Sequence, residues 1–377
     1  MKLHLPGMAL ALSAPLTLAG TSPGPFPPAA GQPGSDAIAS TDPRFKGWAT
    51  SVVNLTRGWD DVADPFAPVT YGGASSAVGP ADLLNPQSQP EWGTAGPFPV
   101  VSLGDGGSIT LAFATPIADG PGPDFAVFEN SLNDSFLELA FVEVSSDGLH
   151  FFRFPAVSCT QVDTQIPGEG SLNPRNLKNL AGKYRGTYGT PFDLAELSSV
   201  SPLLNVGAVT RVRVIDVVGS IQSGFASLDS TGRRINDPYP TPYETGGFDL
   251  DAVGVLNQTP TTFAAWVASN APWPDGQSLA GSDPDGDGSP NLLEYALSTN
   301  PLKPEPPVSP VPTPESGGWR YTWPCRTSST DISCRIETSA DLRRWQDRGA
   351  GSTFLLVPSP GVPHLAVRLS IAFQSAP

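Results

Sequence analysis

The chain has 377 residues and a formal net charge of −15, with 39 glycines, 43 prolines and only 15 % charged residues. Such an acidic chain lacks the basic surface that nucleic-acid phosphates require. Its abundant Gly and Pro predict short strands and many turns rather than long helices. Beyond the N-terminus, no apolar run approaches the ~20 residues of a membrane span.

Residues 1–19 place one lysine before an apolar run that ends in small residues. This pattern reads as a secretory signal peptide, so the mature chain is expected to be exported, at the cell surface or secreted. No cysteine follows the run, which argues against a lipid anchor. Residues 20–36 are rich in Gly, Pro and Ser and read as a disordered lead-in.

Residues 37–256 carry short apolar-alternating runs separated by Gly, Asp and Pro. Strands are predicted at 108–113, 125–129, 139–145, 150–154, 212–217 and 248–256. Asp147-Gly148 signals a hairpin turn between the third and fourth of these. The segment 155–210 reads as a long irregular insertion. About 220 residues are ample for one antiparallel β-sandwich. Trp59, Trp92, Tyr184, Tyr188, Tyr239 and Tyr243 lie in Gly/Pro-rich segments. Such rings either anchor loops by packing or stack on a sugar face.

Residues 257–300 hold the most specific pattern, preceded by a short helix predicted at 261–270. Asp283, Asp285, Asp287 and Glu294 occupy positions 1, 3, 5 and 12 of a twelve-residue loop, with Gly288 at position 6. This is the calcium-loop pattern D-x-[DN]-x-[DN]-G-x5-E. Short Asp side chains converge on one cation if the chain turns sharply at position 6; the Ser289 carbonyl then fills position 7, Asn291 acts through water, and Glu294 closes the sphere bidentately. Pro290 stands at position 8 and has no N–H for pairing with a second loop. Calcium is therefore the expected cofactor, in a structural role, and docking of Leu292, Leu293 and Leu297 on Phe263 and Trp266 is expected to accompany it.

Residues 301–314 contain seven prolines in fourteen positions, and 301–315 reads as a stiff, extended linker. Residues 316–377 are again β-like, with strands predicted at 319–323, 333–338, 354–357 and 365–370. Cys325 and Cys334 flank a predicted hairpin and form either a cross-strand disulfide or free thiols, leaving Cys159 as a buried small residue. No nucleophile elbow, zinc-protease or phosphate-loop motif is present, and no catalytic residues are assigned. A paired-carboxylate glycosidase is the reading left for an enzyme, since sequence spacing does not report spatial separation.

Three blocks carry a resemblance: residues 107–113, the stretch Phe141-Val-Glu-Val-Ser-Ser-Asp-Gly-Leu-His-Phe-Phe152, and residues 209–216. Together they resemble the galactose-binding-like jelly rolls of discoidin domains and carbohydrate-binding modules. The resemblance covers about 37–256. It implies a jelly-roll β-sandwich that recognises an extracellular glycan or another surface protein through its loops. It also implies a second calcium site, for which Asp124, Glu129, Asp249 and Asp251 are candidates; the alternative is solvent-exposed strand-end carboxylates. The single loop at 283–294 resembles those of dockerin and thrombospondin type 3 repeats. The fold expected overall is mainly β: a jelly-roll sandwich, a small helical calcium-loop module and a small C-terminal β domain. The expected role is a non-catalytic, calcium-stabilised surface binding or adhesion protein. A purely structural surface protein and a nutrient-capture protein of an uptake system remain as alternatives.

Overall fold

The computed structural model describes residues 24–82, 99–316, 318–326, 329–351, 353–356 and 366–374. The predicted signal peptide, the first four residues of the lead-in (20–23) and Trp92 fall outside these residues. The chain is mainly β. In order come β1 (Ile38–Ala39), β2 (Gly47–Trp48), β3 (Ser51–Thr56), β4 (Val101–Ser102), β5 (Ser108–Ile117), β6 (Phe125–Glu129), β7 (Ala140–Ser145) and β8 (Phe152–Arg153). Then follow β9 (Val157–Ser158), β10 (Leu177–Lys178), β11 (Tyr188–Phe192), β12 (Val209–Asp216), β13 (Asp249–Val255), α1 (Phe263–Ser269) and α2 (Asn291–Leu297). The last strands are β14 (Val311–Glu315), β15 (Gly318–Thr322), β16 (Ile332–Ser339), β17 (Gln346–Ala350), β18 (Thr353–Leu356) and β19 (Ala366–Phe373). Among the described residues no helix is long and apolar enough to cross a membrane.

Two large antiparallel sheets take all the strands of 38–255 except the β9–β10 pair, an arrangement compatible with a β-sandwich. One has the order β1-β11-β6-β13-β2, with β4 also paired to β13; the other is β3-β5-β12-β7-β8. Alternation decides what fills the space between them. Phe125 and Val127 of β6 join Ile109 and Leu111 of β5, Val142 and Val144 of β7, and Val212 and Val214 of β12 in one buried cluster. The intervening Ala126 and Phe128 face the opposite way, where Ile38, Phe45 and Trp48 cover them. Phe192 stacks on Phe125 with ring centroids 5.3 Å apart, and Phe154 meets Phe192 at 5.0 Å. Each such ring contributes roughly 1.5–3 kcal/mol by leaving water. The β7–β8 hairpin pairs Glu143 with Arg153 and Val144 with Phe152. Its turn is closed by Asp147, whose Oδ1 accepts from the Leu149 and His150 amides, each at 2.8 Å.

The segment 155–210 is more ordered than its sequence suggests. β9 pairs with β10, and β11 enters the first sheet between β1 and β6. Its apolar side chains build a second buried cluster around Leu139, Ile166, Leu177 and Leu180.

Beyond 256 the helices and the C-terminal sheets share their cores. The Thr262 side chain caps α1 by accepting from the Ala265 amide at 3.1 Å, and Ser298 ends α2 in the left-handed region at φ 59°. Seven-residue helices are marginal alone, so packing holds them. Trp266, Tyr295 and Ala296 bury against Ile332 of β16, with Phe263, Leu292, Cys334 and Ile371 around them. Leu297 and Leu293 pack instead with Trp323, Ile336 and Val308. Only Leu292 of the three leucines therefore joins Phe263 and Trp266; Leu293 and Leu297 lie on the other face of α2. The proline-rich stretch is not a free linker either. Val308 is part of that second core, and residues 311–315 form β14, paired in register with β15.

Candidate metal centre

The loop between Ser282 and α2 is shaped by its own carboxylates. Asp283 Oδ1 accepts from the Gly286 amide and its Oδ2 from the Gly288 amide, both at 2.9 Å. Asp285 Oδ1 accepts from Asp287 N at 3.2 Å, and Asp287 Oδ1 from Ser289 N at 2.8 Å. Gly286 and Gly288 take φ values of 77° and 94°, a region that costs most residues a Cβ clash. These turns fold the chain so that ligand oxygens of Asp283, Asp285 and Asp287 lie within 4.8 Å of one another, close enough to hold a metal ion.

Glu294 faces this group from the first turn of α2. Its side chain is 0 % exposed, and neither carboxylate oxygen has a hydrogen-bond partner. Asp285 Oδ2 and Asn291 Oδ1 are likewise buried without partners. Burial first, and then the charges of Asp285, Asp287 and Asp283, push the Glu294 carboxyl up to about 8. Burial also raises Asp285. Buried, unpartnered carboxylates are expensive, and a hard cation with six to eight oxygen ligands would satisfy them together. The residues therefore fit a divalent cation. Asn291 is anchored by its amide, which donates to the Gln277 and Leu279 carbonyls at 2.7 and 2.8 Å. Glu305 was not legible as part of this site: its amide donates to Asp287 Oδ2 at 3.1 Å, tying the proline-rich segment to the loop.

The four carboxylates suggested for a second metal do not form one site. Asp124 precedes β6 and Glu129 ends it, which separates them by roughly 16 Å along an extended strand. Asp124 Oδ1 accepts from Gly120 N and Asn257 Nδ2, and its Oδ2 from Leu194 N at 2.7 Å. It groups with Asp119 and Asp193, and burial pushes it up to about 7. Asp249, by contrast, lies beside Glu129, and is bonded by Ser102 Oγ and, at 2.9 Å, by Asn130 Nδ2. Asp251 stands where the β13–β6 register shifts and accepts from Asp82 N at 3.4 Å.

The aromatic candidates also divide. Tyr184 and Tyr239 are buried, and their hydroxyls donate to Asp36 and Asp61. Their faces are not open for stacking, so both anchor loops. Tyr188 lies under the Arg185 guanidinium at 4.7 Å. Trp59 and Tyr243 are open, at 42 % and 56 % exposed. Both stand on loops at the Glu129–Asp249 end, since Trp59 bridges to Asp105 and Gly104 N donates to Gly246 O. Cys325 and Cys334 are free thiols that share a hydrogen bond, which holds Cys325 up and Cys334 down; Cys159 is half-buried. Comparison of the chain with protein-family models and with characterised proteins returns no match.

Proposed function

We propose that the 283–294 loop binds one calcium ion and that the ion fastens the helical and C-terminal β units of an exported, non-catalytic surface binding protein. The observation that carries the calcium reading is Glu294, fully buried, with both oxygens unpartnered and its carboxyl raised by burial and by the charges of the three converging aspartates. Asp283, Asp285, Asp287, the Ser289 carbonyl and Glu294 would be the ligands, with Asn291 acting through water. Affinity in the range of about 10⁻⁴–10⁻³ M suits an extracellular module. The ion's chemistry here is structural: it neutralises the loop and leaves α2 free to dock on Trp266 and Trp323.

The sandwich is, on this reading, a jelly roll of the galactose-binding type, and its ligand an extracellular glycan or surface protein. The exposed rings of Trp59 and Tyr243 on neighbouring loops support that role, because an open ring offers a stacking face to a sugar. Two measurements test the proposal separately. Calorimetric titration of the full chain should show calcium heat that Glu294→Gln abolishes, and no heat would sink the metal reading. A glycan array probed with and without calcium should give discrete hits that Trp59→Ala weakens. A blank array would favour a purely structural surface protein.

A further inference from the structure

Lys183 stands between β10 and β11, and only 3 % of it is exposed. Its ammonium lies over the Tyr184 ring, 5.1 Å from the centroid. Among the described residues it has neither a hydrogen bond nor an ion-pair partner. An ammonium carries three donors, and burying it without acceptors is costly. Burial pushes this one down to about 8, against the nearby charge of Asp36, which favours the charged form.

Lys183 lines a cavity of about 350 Å³, at the small end of the ~300–1,000 Å³ usual for small-molecule sites. Phe26, Pro27, Pro123 and Pro191 give it apolar, rigid walls. Thr190 lines it as well, and its buried hydroxyl has no hydrogen-bond partner. Two further lining charges cancel: Lys178 pairs with Glu196 at 2.9 Å, and the same carboxylate oxygen accepts from the Asn179 amide. That leaves Lys183, Asp36 and Asp193 as the charges facing the cavity. Asp36 uses one oxygen to accept from the Tyr184 hydroxyl, and Asp193 uses one to accept from Ala195 N at 2.9 Å. Neither aspartate forms an ion pair with Lys183.

We infer that this cavity binds a small zwitterion of the amino-acid type, its carboxylate on the Lys183 ammonium, its ammonium on Asp36, and its apolar side chain against Phe26 and the prolines. Charge decides between the ligand classes. A simple anion would meet Asp36 and Asp193 as well as Lys183, and a simple cation would meet the unpaired Lys183. A neutral sugar supplies acceptors but leaves the buried charge without a counter-charge. A zwitterion matches both signs within one molecule and gives the amine a charge-assisted partner. The cavity shares no lining residue with the loops of Trp59 and Tyr243, so this site is separate from the surface proposed for a glycan. It also stands independently of the calcium loop.

The test is calorimetric titration of the full chain with L-leucine and two of its analogues. Isoamylamine lacks the carboxylate, and 4-methylpentanoate lacks the ammonium. L-leucine should bind with a dissociation constant below about 1 mM, and each analogue about tenfold or more weakly, having lost one charged hydrogen bond. Lys183→Met keeps the apolar stem and removes a buried, unpaired charge, so its Tm should be no lower than that of the native chain. The variant should nevertheless lose about tenfold or more in affinity for L-leucine. A native chain that binds no L-leucine at about 10 mM would overturn the inference without any substitution. Equal affinity for 4-methylpentanoate would reduce the site to a carboxylate pocket, and equal affinity for isoamylamine would remove Lys183 from it; either result refutes the zwitterion. So would a well-folded Lys183→Met chain that binds L-leucine as the native chain does.

Discussion

Replacing Glu294 by Gln should reverse the order of stability between the metal-free and the calcium-bound chain. The carboxyl is pushed up to about 8 from an ordinary value of 4.5. The folded, metal-free chain therefore holds this proton more tightly than the unfolded chain does. Its stability must fall as pH rises from about 4.5 to about 8, then level off. Gln carries no charge, so the variant should lack that decline and be the more stable metal-free form at pH 8. Calcium acts in the opposite direction on the native chain alone. With a dissociation constant of about 10⁻⁴–10⁻³ M and about 10 mM calcium, binding adds about 1.4–2.7 kcal/mol. For a unit of this size that is a rise in Tm of roughly 5–10 °C. Scanning calorimetry at pH 8, with calcium or with chelator, reads both effects. The reasoning fails if calcium raises the two Tm values equally, or if the metal-free native chain is no less stable than the variant.

Three further outcomes follow from the same structure. Proteolytic cleavage between 257 and 303 should slow by about tenfold or more when calcium replaces chelator, matching the population of opened loop; equal rates would remove the staple role. Trp266→Ala should cost about 3–5 kcal/mol, and because Trp266 shares a core with Ile332 it should also speed amide exchange in β16, where unchanged protection would show that the helices and sheets are independent. Gly182 holds φ 79° with a Cβ position only 1.8 Å from the Glu138 carbonyl, so Gly182→Ala should destabilise by about 2–4 kcal/mol, and an unaltered melting curve would refute that close approach.

Much of the fold was legible where one face of a strand is buried and the other is not, or where both are. β5, β6, β7, β12 and β13 all fall within a few residues of their predicted spans. β11 was hidden because Tyr188-Gly-Thr-Pro-Phe192 contains two residues that usually mark a loop. Its glycine is there because Ala126 and the Phe128 ring occupy the space a Cβ would need, at 2.8 Å. β3 was hidden for the opposite reason, since its largely exposed pattern leaves little apolar alternation to detect. The metal loop could be read because all its side-chain ligands fall within twelve consecutive residues. The cavity beside Lys183 could not, because Phe26, Asp36, Pro123 and Thr190 come from separate strands and loops, and only folding brings them together. Burial was equally unreadable: Tyr184 and Tyr243 sit in similar Gly-rich surroundings, yet one is enclosed and the other open.

The prolines of β14 carry a consequence of their own. β14 is an outer strand of its sheet, paired on one side with β15. Pro312 and Pro314 occupy alternate positions, so both must direct their missing N–H away from β15, or the pairing would lose two bonds at once. The free side of β14 thus offers acceptors with few donors. A strand from another copy of the chain finds no complete ladder to extend there. For a protein rich in short strands and proposed to crowd at a cell surface, that rim acts as a built-in barrier to polymerisation through this sheet.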